Sequence, residues 1–550
     1  MVKYIFIAGG VMSGIGKGIA TASIGKILQS KGFTVTAVKI DPYINVDAGT
    51  MNLLEHGEAF ITKDGDQCDQ DMGNYERFLD VELTKDNYMT TGRIYQSVID
   101  RERKLGYKGK CVEVVPDIPN EVISRINKAA RKNMADFVLI EIGGTIGEYQ
   151  NMLFLEAARM IKLKNQKNFM FILVSYLPIP KMIGEMKTKP TQHAARTLNS
   201  AGIQPDIILA RATTHLDKKR KRKISTFCNV NIEDVISAPD VKSIYKIPIN
   251  FEKEGLGRTI LKKFGIKAKT KKGLKSWEQL QETIEHSKEK VRIGIIEKFF
   301  TANVTASTDC YLSMTEAIKH AAWYFKRKLE IVWMDSKNYD PSELPDKGKQ
   351  ARKNLDKDLK TIDGIIIPGG FGDRGAQGKI EAIRFCRENR IPYFGISLGS
   401  RLAIIEFAKN VCKIKEICNS EFSEKCKNPL IVKLKHQVLG NSPCEIKNGT
   451  ISFSAYLPQN TPKENIKNSI LVHERHQDQY ALNNNFKKHL QKEGMIVSAV
   501  NPKNKLAEII ELKNHPFFVG VQFHPEFKSR PLNPHPLFKK FTKACIKKRG

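Results

Sequence analysis

The segment Ile391-Pro-Tyr-Phe-Gly-Ile-Ser-Leu-Gly-Ser-Arg401 joins an apolar run to a helical pattern through a glycine-flanked turn. Such a turn lifts one side chain out of the backbone as a nucleophile, and here that side chain is Ser397. Far downstream, Gly520-Val-Gln-Phe-His-Pro-Glu526 offers His524 and Glu526, a base and the carboxylate that orients it. A second candidate lies near the start. Gly9-Gly-Val-Met-Ser-Gly-Ile-Gly-Lys-Gly18 follows an apolar run and opens a helical pattern. That context turns backbone N–H groups and the positive helix end toward phosphate. The loop is not a regular P-loop, since GxxxxGK[ST] would need Gly at Val11 and a hydroxyl at Gly18. A metal there must be held by carboxylates from elsewhere. Asp69-Gln-Asp71 and Glu141 are the candidates, Glu141 because an acid at the carboxyl end of a parallel strand faces the ligand side of the sheet. Mg²⁺ favours this kind of site, with one or two carboxylates completed by substrate phosphates and waters.

Positioning such groups takes large α/β layers, and the chain has the length for them. At 550 residues it should form at least two domains. In the first half, apolar runs at Tyr4–Ala8, Thr34–Ile40, Phe137–Ile142, Phe169–Val174 and Ile207–Ala210 alternate with helical patterns such as Ile19–Leu28. This predicts a parallel sheet with covering helices, closing near Lys267. Residues 268–290 are polar and Lys-rich, with Trp277 as an isolated anchor, and read as an ordered linker. A second α/β block opens at Val291–Ile296 and continues through Glu330–Met334, Gly364–Gly372, Phe394–Leu398 and Phe517–Phe523. The expected division is therefore 1–267, 268–290 and 291–550.

Composition narrows the setting. No apolar run approaches the ~18 residues that span a bilayer, and Met1–Gly10 reads as a first strand, not a signal peptide. Ten cysteines without a CxxC pair predict reduced thiols in a cytoplasm, and Cys386, the nearest to the turn, lies on the preceding helix. The net charge of +31 and the run Lys218-Lys-Arg-Lys-Arg-Lys223 invite a nucleic-acid reading. The basic residues are dispersed and no reading motif accompanies them, so small triphosphates are the expected partners, with neither nucleic acid nor membrane.

Several motifs in order carry a resemblance over nearly the whole chain. Gly9–Gly18, Lys39-Ile-Asp-Pro-Tyr-Ile-Asn-Val-Asp47, Glu55-His-Gly-Glu58, Gly73-Asn-Tyr-Glu-Arg-Phe78, Lys187-Thr-Lys-Pro-Thr-Gln-His193 and Ser243-Ile-Tyr-Lys-Ile-Pro248 resemble the CTP synthase family. The turn at Ser397 with His524 and Glu526 resembles the active site of a class I glutamine amidotransferase. The resemblance implies a P-loop-like parallel-sheet synthetase domain followed by a flavodoxin-like amidotransferase domain. It implies that ATP phosphorylates O4 of UTP and that ammonia displaces the phosphate at C4. Ser13, Gly14, Ile15, Gly16, Lys17, Gly18 and Ile19 would wrap ATP, with Lys17 and Lys39 on its phosphates, Asp240 and Val241 nearby, and Asp71 and Glu141 holding Mg²⁺. Ser13, Glu148, Tyr149, Gln150, Lys187, Thr188, Lys189, Pro190, Thr191, Gln192 and Lys223 would hold UTP, or CTP as feedback inhibitor, partly across a subunit boundary of a homotetramer. GTP would be the activator of glutamine hydrolysis.

The amidotransferase half departs from the family pattern where glutamine would sit. Gly370 in Pro368-Gly-Gly-Phe-Gly-Asp-Arg-Gly375 resembles the oxyanion loop, and Glu421 in Asn419-Ser-Glu-Phe422 the contact to the substrate's amino group. The family's Cys-Leu-Gly-Met-Gln is replaced by Ser397, Leu398, Gly399, Ser400 and Arg401. Its Arg-His-Arg-His is replaced by Arg475-His-Gln-Asp478, so Gln477 stands where an arginine would grip the glutamine carboxylate. A charge-assisted contact worth ~1.5–3 kcal/mol is thereby lost. A hydroxyl is also far less acidic than a thiol of pKa ~8.5 and needs a finely set triad. Glutamine hydrolysis is expected to be lost or impaired, with free ammonia as nitrogen donor and little effect of GTP. Two alternatives stay open: Ser397 as a working nucleophile with Arg401 reaching the carboxylate, and an idle nucleotide-binding filament or regulatory subunit. Gln150, where the family has a carboxylate, puts CTP feedback in question, and Pro239 replaces a usual lysine beside the adenine site.

Overall fold

The computed structural model describes residues 1–297, 309–344, 348–423, 425–458, 461–462 and 466–549. Its contacts divide the chain into two units, 1–50 with 67–282 and 51–66 with 283–550.

The first unit is built on a seven-stranded sheet of β1 (Lys3–Gly10), β2 (Val35–Asp41), β3 (Tyr88–Thr90), β4 (Phe137–Thr145), β5 (Phe169–Tyr176), β6 (Ile207–Ala212) and β7 (Val235–Pro239), in the order β3-β2-β4-β1-β5-β6-β7. Every pairing is parallel. Strands covered on both faces become near-continuous apolar runs, which is why β1, β2, β4, β5 and β6 are readable in the sequence. The short β3 and β7 were not expected. Helices α1 (Lys17–Ser30), α2 (Asp71–Leu79), α3 (Lys189–Ser200) and α4 (Lys218–Cys228) matter most to the site. The stretch expected as a linker contains the helix Lys275–His286. Its Trp277 is not isolated but buried, with ring centroids 4.9 Å from Phe78 and 5.6 Å from Tyr245.

The second unit holds a ten-stranded sheet among the described residues. Its parallel part is β8 (Lys290–Glu297), β9 (Lys328–Asp335), β10 (Gly364–Ile367) and β11 (Tyr393–Ile396). β12 (Cys418–Asn419) runs parallel to β13 (Pro429–Lys447), which pairs antiparallel with β14 (Ser469–Leu482) and β15 (Met495–Val500). β16 (Ala507–Leu512) and β17 (Phe518–Val521) lead back to β11. The expected strand Phe394–Leu398 ends at Ile396, because Ser397 turns the chain and Leu398 begins α5 (Leu398–Asn410). Gly364–Gly372 is strand only to Ile367. The antiparallel strands β13 to β16 were not anticipated. The prediction of ten thiols is also corrected: Cys418 and Cys426 form a disulfide with Cα atoms 5.7 Å apart, and the other eight are free. No helix among the described residues is long and apolar enough to cross a membrane.

Candidate active sites

In the first unit the chain leaves β1 through a loop in which Gly14 and Gly16 take φ of 70° and 79°, left-handed backbone that favours glycine. Helix α1 starts at the next residue, with no acid in its first turn to share its positive end. Lys17 is buried and donates from Nζ to the Gly144 carbonyl at 2.8 Å. Burial pulls its ammonium below the usual lysine range, against the raising effect of Glu141. Lys39, at the end of β2, is sequestered among acids. Its Nζ donates to Glu141 at 3.0 Å and to Asp71, with Asp41 and Asp69 each at 3.7 Å. Tyr75 donates its hydroxyl to the other oxygen of Glu141.

This arrangement sets the acids apart. Burial raises the Glu141 carboxyl despite Lys39, and raises Asp41 to about 7. Asp71 is only half-buried, and although desolvation opposes its charge, the charge and hydrogen bond of Lys39, helped by Asn74 and Lys17, hold it below the usual range. The ammonium of Lys39 thus marks a place built to hold positive charge. Among the described residues no group of three or more His, Cys, Asp or Glu has metal-binding geometry. Of the four acids around Lys39, Asp71 and Glu141 are the two that Nζ contacts directly, and a pair of carboxylates fits a Mg²⁺ completed by phosphates and water.

Gly18 shows why the usual P-loop hydroxyl is missing. A Cβ there would lie 1.9 Å from Asp71 Oδ1. We expect Gly18→Ala to displace Asp71 and to lower synthetic activity at least tenfold at limiting Mg²⁺, read as a rise in the Mg²⁺ concentration needed for half-maximal rate. An unchanged Mg²⁺ requirement would remove Asp71 from the metal site.

A cavity of about 310 Å³ beside the loop is lined by Gly16, Ile19, Pro239, Asp240 and Val241, five residues given a place at the ATP site from the sequence, together with Ile244 and Phe251. Arg211, not singled out, also lines it. It donates to the Ile15 carbonyl at 3.0 Å and pairs with Asp240. Its position at the carboxyl end of β6 was the available signal. Ser13 is exposed in the loop, and Gly14 has open space around its Cα. Glu148 accepts from Gln150 at 2.7 Å, and Tyr149 is exposed. Lys187 pairs with Glu185 and Pro190 opens α3. Lys189 lies over the Phe227 ring. Thr188, Thr191 and Gln192 are buried, Thr191 within 2.8 Å of the Ser175 hydroxyl. Lys223 is exposed on α4.

In the second unit Ser397 stands at φ 50°, ψ −103°, a strained corner for a side chain with a Cβ. The corner needs its flanking glycines, because a Cβ on Gly399 would lie 2.3 Å from the Ile367 carbonyl oxygen. Ser397 lines a cavity of about 210 Å³ with Gly370, Gln477, His524 and Glu526. His524 Nδ1 is 2.8 Å from Glu526 Oε1, and its ring stacks on Phe527 at 5.5 Å. Burial opposes charge on His524, but Glu526 and then Asp478 outweigh it, so its pKa is raised.

The serine hydroxyl is not paired with that imidazole. It accepts from Arg401 Nη1 at 3.2 Å. Arg401 is itself fully buried on α5 and grips Glu421, with Nε to Oε2 at 3.1 Å and Nη2 to Oε1 at 3.4 Å. Nη2 also reaches the Gly370 carbonyl at 3.3 Å, and Gly372 N–H donates to Glu421 at 3.1 Å. Leu398 and Ser400 are buried in the first turn of α5. Glu58, the last residue of the Glu55-His-Gly-Glu58 motif, lines the same cavity.

Fold and sites together define a nucleotide-dependent ligase joined to a class I amidotransferase module. A family described as CTP synthase N-terminus matches residues 3–266, and one described as glutamine amidotransferase class-I matches residues 306–544. A CTP synthase of Caldanaerobacter subterraneus is 42% identical over 99% of this chain and 98% of its own length. Those of Ruminiclostridium cellulolyticum and Methanococcus maripaludis are 43% and 42% identical, each over 99% of this chain and over 98% and 100% of their own lengths. The solved glutaminase domain of Trypanosoma brucei CTPS with bound acivicin is 30% identical and covers 47% of this chain and 94% of that one, at a TM-score of 0.41. The chain belongs to the CTP synthase family, ligases that form a carbon–nitrogen bond and use ATP and UTP.

Proposed function

We propose that this chain aminates UTP with free ammonia, its glutamine site being disabled. The observation that carries the reading is the buried Arg401–Glu421 pair. In the family pattern a cysteine stands at 397, a glutamine at 401 and an arginine at 477. Here the Glu421 oxygens expected to receive a substrate's amino group already accept from Arg401 and Gly372. Arg401, held there, is not available to replace the arginine missing at 477. Ser397 is hydrogen-bonded to a cation instead of to the base that would take its proton.

In the synthetase half, Ser13 to Ile19 and Lys17 receive the ATP phosphates, with Asp240 and Val241 along the nucleoside. Asp71 and Glu141 hold Mg²⁺, which when bound neutralises charge on the transferring phosphoryl group. Lys39 keeps that acidic cluster balanced and adds positive charge beside the phosphates. Glu148 to Gln150, Lys187 to Gln192 and Lys223 receive UTP. Phosphorylation makes O4 a leaving group, and ammonia then displaces it at C4. The expected assembly is a homotetramer, and GTP has little to act on.

The direct test is glutamate release from glutamine by purified protein in the presence of ATP, UTP, Mg²⁺ and GTP. We expect none above the protein-free blank. Release at a rate matching CTP formation would overturn the reading.

A further inference from the structure

Resting on that reading, we propose that the cavity beneath Ser397 admits ammonium, and that His524, oriented by Glu526, takes one of its protons to release neutral ammonia for amination. The step balances without another reactant: one N–H bond of NH₄⁺ breaks, its proton goes to the imidazole, and solvent later removes it.

The charge of the cavity is the first argument. Glutamine would bring a carboxylate that needs a cation, yet no lysine or arginine lines the cavity among the described residues. Glu58, Glu526 and His524 do, together with the aromatic residues Tyr311, Phe371 and Phe527. Carboxylates and aromatic faces both favour a small cation. Glu526 is the second argument. It is 6% exposed, one oxygen holds His524 Nδ1, and the other, Oε2, is buried with no hydrogen-bond partner. A buried carboxylate oxygen without a partner is costly unless a donor arrives, and ammonium carries four.

The third argument is the base itself. Ser397 points its hydroxyl's lone pair to Arg401, so Nε2 of His524 is not committed to a nucleophile. His524 faces Glu526 on its own segment, Asp478 and His476 on β14, and the Gly369 backbone, where a Cβ would lie 2.6 Å from its Cε1. Glu526 and Asp478 raise its pKa and His476 lowers it, after burial has opposed the charge. A base raised in this way is better matched to an ammonium proton than an ordinary imidazole.

The test is kcat/KM for total ammonium against pH at constant ionic strength. Free ammonia rises about tenfold per pH unit across the neutral range, so an enzyme fed only from solution follows that slope. The wild type is expected to level off once His524 is neutral, above the ordinary histidine pKa of ~6.5. His524→Asn should restore the full slope, its kcat/KM falling further below wild type as the pH is lowered toward neutrality. Glu526→Gln removes the leading charge that raises the imidazole, so its break should move to lower pH, which a merely structural role would not produce. If wild type and His524→Asn share the full slope, the inference fails and the ammonia-dependent reading stands. If ammonium supports no CTP formation at any pH, both fail.

Discussion

Lys17→Ala should lower ammonium-driven CTP formation by about 10²–10³-fold, the usual effect of removing one preorganised charge from a reacting oxygen. Lys17 follows directly on the left-handed Gly16 at the positive end of α1, with no acid in the first turn. It is buried, and its ammonium donates to the Gly144 carbonyl. Burial already lowers its pKa, so a phosphate placed there would gain a poorly solvated cation. The loss should fall on kcat, because the charge that Lys17 meets grows as the phosphoryl group transfers. Folding is affected little, since one hydrogen bond to a carbonyl is worth about 1 kcal/mol. An unchanged thermal midpoint with lost activity is the expected pair of results. Activity within threefold of wild type would leave the loop without a catalytic part and favour an idle nucleotide-binding subunit.

The triple replacement Ser397→Cys, Arg401→Gln, Gln477→Arg should give glutamine-driven CTP formation about 10²-fold above Ser397→Cys alone. A thiol of pKa ~8.5 gives His524 a group it can ionise, which repairs the nucleophile. It does not repair recognition. Arg401 remains on Glu421, so the substrate's amino group meets a guanidinium, and Gln477 offers no charge to the carboxylate. Each missing charge-assisted contact is worth ~1.5–3 kcal/mol, and ~1.4 kcal/mol is tenfold. Two such contacts account for the expected factor. Gly372 continues to donate to Glu421 in the variant, so that carboxylate is not left bare. Equal rates for the single and triple variants would mean that the Arg401–Glu421 pair does not obstruct the pocket.

The parts legible in the sequence are those that physical pattern exposes locally. β1 and β5 are near-continuous apolar runs, and β4 is one broken by Glu141, because both faces of the sheet are covered, and the loop after β1 announces itself by its glycines. The turn at Ser397 is legible for the same reason: Gly395 and Gly399 are forced by close backbone contact. β13 was missed because Lys433, Lys435 and His436 interrupt any apolar run in a strand that is half exposed. Trp277 looked isolated because its partners, Phe78 and Tyr245, are distant in sequence. The pairing of Cys418 with Cys426 follows from a loop conformation that spacing alone does not specify. Most consequential is Arg401. Set beside the family pattern it resembles, the sequence has Arg401 where a glutamine is expected and Gln477 where an arginine is expected, which invites the idea of compensation. Only the fold reveals that Glu421, twenty residues along, has claimed it.

Loss of the glutamine site with retained synthesis is decided by measuring CTP formation from UTP, ATP and Mg²⁺ with ammonium chloride or with glutamine as nitrogen source, at the same pH. CTP is expected with ammonium and none above background with glutamine, with or without GTP. Comparable rates from the two donors would contradict it and make Ser397 a working nucleophile.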